Sequence, residues 1–270
     1  MLDIDDLRGL WRRSLLAYPD GLRDTTTQVR WLQGLSLYAD LRQSDIRPSF
    51  AGVRCLRDLT ATHMAWLSRQ EGFAGVLARA GDCFEWRRFL DYQPAALGAD
   101  AGRLWLEDGM MKEEGRDIPY IEHWHREPVE AAPVVGLHLR DELSGAPGVL
   151  VVVGTAFMYA RGRAAALPTG TPLWELVSAA GDATVAQDLL DCEISFGAVR
   201  GGGWIVERSS LPFKEGQHLV LAGGGRAARH LRVEDQDADG GPLARDWLIT
   251  SREGDVDLLW PMPELRSATS

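Results

Sequence analysis

The sequence predicts a mostly β protein made of two tandem antiparallel β-barrels with short helices. Three observations carry that expectation: short segments that alternate apolar and polar residues, Gly-rich turns between them, and an order of segments that recurs in the second half. Alternation points to strands because successive side chains lie on opposite faces of a sheet, one buried and one wet.

Taken in order, "VRWLQGLSLYADLRQ" (29–43) is extended around a break at Gly34. "GFAGVLARAGDCFEWRRFLDYQ" (72–93) is a hairpin turning at Ala80-Gly81-Asp82. In its second strand Phe84, Trp86, Leu90 and Tyr92 are expected on one face, with Glu85, Arg87 and Asp91 on the other. "GRLWLEDG" and "IPYIEHWH" follow as strands. "APGVLVVVGTAFMYARG" (146–162) is a continuous apolar run, as for a strand covered on both sides. "DCEISFGAV", "GGGWIVERSS", "QHLVLAGG", "RHLRVEDQD" and "RDWLITSREG" complete the strands. Helical patterning is confined to residues 58–70, where Leu59, His63, Trp66 and Gln70 share a side, and to residues 172–190, which open on Pro172.

The repeat runs "SLYADLRQ", helix, "DCFEWRRF", "RLWLEDG", "EHWHRE" in the first half. In the second it runs "FMYARGRA", helix, "DCEISFGA", "HLRVEDQ", "RDWLITSRE", so that Trp124 and Trp247 correspond. Two prolines in "REPVEAAPVVG" interrupt the strands, and the boundary is placed there: residues 1–130 form one unit and 131–270 the other.

Composition narrows the partners. A net charge of −10 argues against nucleic acid or an anionic membrane surface. No apolar run approaches the roughly 20 residues that span a bilayer, and the acidic, amphipathic "MLDIDDLRGLWRR" is unlike a signal peptide. Cys55, Cys83 and Cys192 are widely spaced, form no CxxC motif, and suit a reduced cytoplasmic protein.

Pieces across residues 107–255 resemble the Hri-type proteins of fungi, two-barrel relatives of the calycin (lipocalin-like) group. They are "EDGMMKEEG" leading to "EHWHREP", then "GVLVVVGTAFMYA", "DCEISFGAV", "ERSSLPFKEGQ" and "RDWLITSRE". Glu122 and Trp124 match the acidic residue and tryptophan on the strand that closes the family's first barrel, and Gly148 to Gly154 match its apolar strand. The resemblance implies the two-barrel fold and, as a partner, a protein of the casein-kinase type. His123 and His125 lie outside the family pattern. Gly9-Leu10-Trp11 is similar to the GxW that opens many lipocalins, whose tryptophan plugs the closed end of the barrel.

Alternation puts His123 and His125 on one strand face with Ile121, and Glu122, Trp124 and Arg126 on the other. If the histidine face looks inward, two imidazoles stand ready as acid–base groups or, with Glu130, as metal ligands in the manner of the cupins. Prolines at 128 and 133 and the long gap to His218 depart from the cupin pattern. If the other face looks inward, Glu122, Trp124 and Arg126 suit an anionic or aromatic ligand; alternatively they form a plain cross-strand charge ladder. His138 and Arg140 share a face and reach the same pocket if their strand is adjacent. "GAVRGGGW" and "LAGGGRAARH" lack GxGxxG spacing, Ser209 and Ser210 lack a GxSxG elbow, and Asp235, Asp237 and Asp239 are expected in a solvated turn. Cys83, Cys192 and His63 are expected as core residues.

A barrel of about eight strands encloses room for one small ligand. The leading expectation is a cytoplasmic binding protein for a small apolar or aromatic molecule, with no cofactor. Its pocket lies in the first barrel, formed by Trp86, Tyr92, Trp105, Glu122, His123, Trp124, His125 and Arg126. The alternatives are an enzyme that uses His123 and His125, or an interaction module with filled barrels.

Overall fold

The computed structural model describes residues 2–95, 97–164, 166–223 and 228–259. Nine strands make the first sheet: β1 (Gly9–Ala17), β2 (Arg23–Asp24), β3 (Gln28–Gln33), β4 (Leu37–Gln43), β5 (Glu71–Ala80), β6 (Cys83–Asp91), β7 (Ala101–Glu107), β8 (Met110–Gly115) and β9 (Ile121–Glu127). Every neighbouring pair is antiparallel, and β1 pairs with β9 from Leu10↔Glu127 to Ala17↔Ile121. That pairing closes an eight-stranded barrel, with β2 a short flap against the end of β1.

The second sheet comprises β10 (Val134–Asp141), β11 (Pro147–Val153), β12 (Ala156–Arg161), β13 (Glu193–Arg200), β14 (Gly203–Ser209), β15 (Leu221–Ala222), β16 (His230–Gln236) and β17 (Pro242–Gly254). Its order, β14-β13-β12-β11-β10-β17-β16-β15, is a curled half-barrel. Its edges meet through one extended segment, in which His218 bridges Ile205 and the Val220 carbonyl accepts from the Glu234 amide. The apolar run 146–162, expected as one strand, is two. Gly154 at φ 59° turns β11 back onto β12, and Cβ at that position would lie 2.3 Å from the Glu130 carbonyl oxygen. Both faces of this hairpin are covered: Val149, Val151 and Val153 face one core, and Leu150 and Val152 the other.

The helices are short. α1 (Ile4–Leu7) is capped by Asp3, and α2 (Ala61–Leu67) by Thr60, whose hydroxyl accepts from the His63 amide. His63 is therefore a capping residue: its Nδ1 accepts from the Thr60 amide, and its ring stacks on Phe50. The segment expected as one helix from Pro172 breaks into α3 (Leu173–Ala179) and α4 (Ala183–Asp188), because Asp182 caps a new start by accepting from the Val185 amide.

The largest core lies between the sheets, where Leu37, Ala39 and Leu41 of β4 meet Val149, Val151 and Val153 of β11, Met158 and Ile194. Gln43 and Gln70 are buried beside it, where the Gln43 amide donates to the Gln70 side chain and the Ser209 carbonyl and the Gln70 amide donates to the Ser210 carbonyl. Each sheet also has its own interior cluster, aromatic in the first and aliphatic with Trp247 in the second.

One expectation about facing is corrected. A bulge in β6 pairs Ala74 with Leu90 but Gly75 with Arg88, leaving Phe89 extra. Beyond it the alternation flips. Phe84 and Trp86 stay in the barrel interior, whereas Leu90 and Tyr92 join the core between the sheets and Arg88 bonds Asp91. The bulge requires Gly75, since a Cβ there would lie 2.0 Å from the Arg87 carbonyl oxygen. Gly75→Ala is expected to destabilise the protein by about 3 kcal/mol in urea unfolding, through backbone displacement at the bulge.

Candidate ligand cavity in the first barrel

The barrel is sealed at the end where β1 begins. Gly9 adopts φ 129°, which lets the chain turn from α1 into β1 and brings Trp11 inward. Trp11 donates its indole N–H to the Leu7 carbonyl at 2.6 Å and stacks on Trp31 at 6.2 Å between ring centroids. Trp31 in turn meets Trp86 at 5.8 Å and Trp124 at 5.5 Å, both edge-on, the arrangement that ring quadrupoles prefer. Arg126 covers this plug from outside: its guanidinium lies 4.4 Å from the Trp11 ring centroid and donates to the Asp6 and Arg8 carbonyls.

Above the tryptophan floor is a cavity of about 410 Å³. Its wall carries charge. Arg13 faces inward by alternation from Trp11, just before a bulge that leaves Ser14 unpaired in β1, and it donates to Glu122 at 2.5 Å and Asp24 at 2.9 Å. Arg42 bonds Asp40 at 2.8 Å and stands 3.8 Å from Glu122. Arg88 lies 3.6 Å from the Phe73 ring centroid and pairs with Asp91 and Asp100. Each of these arginines has at least one carboxylate partner, which makes its burial tolerable. Two buried donors of cavity-lining residues, Trp31 Nε1 and Arg88 Nε, have no protein acceptor among the described residues.

Register sets the carboxyl chemistry. Glu113 of β8 stands directly opposite Glu122 of β9, and both side chains line the cavity. Glu113 accepts from the Tyr120 hydroxyl at 2.7 Å and the Trp124 indole at 3.1 Å. Burial, followed by the facing charge of Glu122, pushes the Glu113 carboxyl well above its ordinary value. At Asp24 burial works in the same direction, but hydrogen bonds from Thr27 and Thr26 and the Arg13 charge prevail and hold it at about 2.

Tyr18, Asp24, Thr27, Ser44 and Glu71 ring the mouth opposite the plug. The wall also opens at one seam. β6 and β7 share only Phe84↔Gly102 and Glu85↔Ala101, and beyond these pairs a second hollow of about 430 Å³ shares Trp86, Arg88, Asp100, Ile118 and Tyr120 with the cavity.

Of the residues singled out in the sequence, Trp86, Glu122 and Trp124 meet in this cavity. Arg126 shares their strand face but lies beyond the floor, spent on the plug. His123 and His125 point to the outer face. His123 sits opposite Lys112 and Leu15, and partial burial, then the Lys112 ammonium, lowers its basicity. His125 Nε2 is 2.8 Å from the Ser14 hydroxyl. Trp105 shares the outer row, opposite Lys112. Tyr92 belongs to the core between the sheets, where Arg163 lies 5.0 Å from its ring centroid. Glu130 accepts from Thr155, and among the described residues no three His, Cys, Asp or Glu side chains are grouped to hold a metal ion. His138 cannot join the cavity, because β10 pairs with β11 and β17 and its imidazole stacks on Phe89 at 4.1 Å.

Other expectations divide. Asp237 forms the expected turn, accepting from the Asp239 and Gly241 amides, whereas Asp235 is buried against Lys214 and Arg245. Ser209 and Ser210 are buried hydrogen-bonding residues of β14 and its end. Cys55, Cys83 and Cys192 are free and buried. Residues 224–227 of the Gly-rich "LAGGGRAARH" lie outside the described residues. Arg13, Trp31, Arg42, Arg88 and Glu113 were not anticipated. Arg13 follows Trp11 by plain alternation, Trp31 is tied to Trp11 by the β1–β3 register, and Glu113 is tied to Glu122 only by register.

Fold and cavity together define a mostly β protein with one closed barrel and one curled half-barrel. Among solved structures, the crystal structure of the uncharacterized protein YLR301w from Saccharomyces cerevisiae is similar. It is 11% identical, covers 91% of this chain and 98% of its own, and gives a TM-score of 0.49. No family model matches the chain, and no curated protein matches it. Among the described residues no helix is long and apolar enough to cross a membrane.

The raised Glu113 carboxyl makes stability pH-dependent. As pH climbs through the ordinary carboxyl value of 4.5, the unfolded chain releases this proton while the folded chain retains it, so the contribution of Glu113 falls until its folded value is reached. Glu113→Gln is expected to flatten that decline, seen as a smaller drop in melting temperature between acidic and neutral pH than in the unsubstituted protein.

Proposed function

We propose that the protein binds a small aromatic molecule carrying polar groups in the first-barrel cavity. The observation that carries this reading is a tryptophan floor beneath a wall of paired ions in about 410 Å³ that is open at its mouth. A few hundred Å³ suits one compact ligand. Trp31, Trp86 and Trp124 supply an apolar aromatic floor, and Glu122 and Glu113 place carboxyl oxygens in the wall as acceptors for ligand donors. The apolar or aromatic ligand of the first expectation is thus narrowed to an aromatic one that is polar at its edge, since an apolar body would strip water from the charged wall without replacing its hydrogen bonds.

The finer kinship we propose is with calycin-like two-barrel proteins of the Hri type. Trp11 plugging the barrel end after Gly9, and Glu122 and Trp124 on the closing strand, support it. A cytoplasmic setting accords with three buried free thiols. The cavity counts against an interaction module with filled barrels, and the outward imidazoles count against a barrel enzyme built on His123 and His125.

Titration of intrinsic tryptophan fluorescence with 4-nitrophenol, a polar aromatic quencher, tests the proposal. Saturable quenching is expected, weakened about tenfold or more when Trp124→Phe and Glu122→Gln are combined and unchanged when His123 and His125 are both replaced by alanine. Linear, unsaturable quenching, or affinity that survives the first double substitution, would show that the cavity is not the site.

A further inference from the structure

Carboxyl groups outnumber guanidiniums in the lining of the first-barrel cavity. Arg13, Arg42, Arg69 and Arg88 stand against Asp24, Asp40, Glu71, Asp100, Glu113 and Glu122. Burial, and after it the facing Glu122 charge, favours the protonated form of Glu113. Even with that proton in place, five carboxylates remain for four cations. Asp91, outside the lining, deepens the excess by sharing Arg88 with Asp100.

The cations are also the more committed groups. Arg13 donates to Glu122 and Asp24, and Arg42 bonds Asp40 and stands 3.8 Å from Glu122. Arg88 is held by Asp91 and Asp100, and Arg69 lies 5.1 Å from the Trp174 ring centroid. Two donors of the lining are unmatched, Trp31 Nε1 and Arg88 Nε, but both atoms are shut off from the cavity surface. The acceptors differ. Glu122 takes Arg13 at Oε1, and its Oε2 has no donor among the described residues. Asp100 takes Arg88 at Oδ2, its Oδ1 has no donor among the described residues, and 29% of its side chain is exposed. Glu71 is exposed at the mouth. Glu113, Glu122 and Asp100 converge near the Tyr120 hydroxyl: burial first, and then these three charges, push its pKa up. An entering anion would meet Asp40, Glu122 and Glu71 around Arg42, whereas an ammonium group finds carboxylate oxygens that lack a donor.

We propose that the first-barrel cavity selects an organic cation, an aromatic amine. Its ammonium group donates to Glu122 Oε2 in the shared field of Asp100, and its ring rests on the tryptophan floor. This selection rests on the reading of that cavity as the binding site, and adds the sign of the ligand's charge.

The test is quenching of tryptophan fluorescence in the full chain at neutral pH by three probes of one shape. They are 4-nitrobenzylamine as the cation, 4-nitrobenzyl alcohol as the neutral form and 4-nitrobenzoate as the anion. The amine is expected to bind about tenfold more tightly than the alcohol, and the benzoate more weakly than either. Asp100→Asn is expected to narrow the ratio of amine to alcohol affinity several-fold, and Glu122→Gln to narrow it further. The comparison in the unsubstituted protein decides the charge should either variant fail to fold. Alcohol or benzoate binding as tightly as the amine would overturn the cation and leave the aromatic site standing. Quenching that saturates with none of the three would remove both. A ratio unmoved by either variant would set the ammonium group elsewhere and overturn the proposal as well.

Discussion

Pairing of β1 with β9 is the constraint on which the first unit depends. It joins the first strand of the sheet to the last, removes the edges that an open sheet would expose, and creates an interior that side chains alone must fill or leave open. The ion pair between Arg13 and Glu122 sits across this closure, one partner on each strand. Its burial is eased by Asp24, which also pairs with Arg13, and by Arg42, which bonds Asp40 and stands 3.8 Å from Glu122, and removal of one partner would leave another buried charge less well paired.

From that closure the cavity follows. Tryptophans occupy the sealed end because Gly9 permits a sharp entry into β1 and Arg126 covers the outside of the plug. The charged residues occupy the open half, where water can reach the rim. The incomplete ladder between β6 and β7 gives the wall a second opening, and the bulge at Phe89 lets one strand serve both the barrel interior and the core between the sheets. A single irregularity therefore couples the shape of the cavity to the docking of the second unit, through Phe89 on His138 and Tyr92 under Arg163.

The two sheets have different polar interiors. In the first, Trp124 is satisfied by a carboxyl from the neighbouring strand; in the second, Trp247 Nε1 has no acceptor among the described residues. The half-barrel interior is mainly aliphatic, and its ions gather around Asp235, so its space lies at one end and not down its axis.

Much of the architecture was legible in the residues themselves. The hairpin at Gly81-Asp82, the break at Gly34, the capped start at Thr60 and the alternation in "EHWH" are local, and local sterics determine them. Alternation placed Glu122 with Trp124 and apart from His123 and His125, but it could not say which pair faced inward. That choice belongs to the tertiary structure: a face is buried only when β1 and β8 flank it, and Trp124 brings far more apolar surface to the interior than an imidazole would. Bulges decided the rest. One extra residue at Ser14 and another at Phe89 reverse facing downstream, so Leu16 turned to the cavity and Tyr92 left it, outcomes that period-two counting cannot anticipate because it assumes an unbroken ladder.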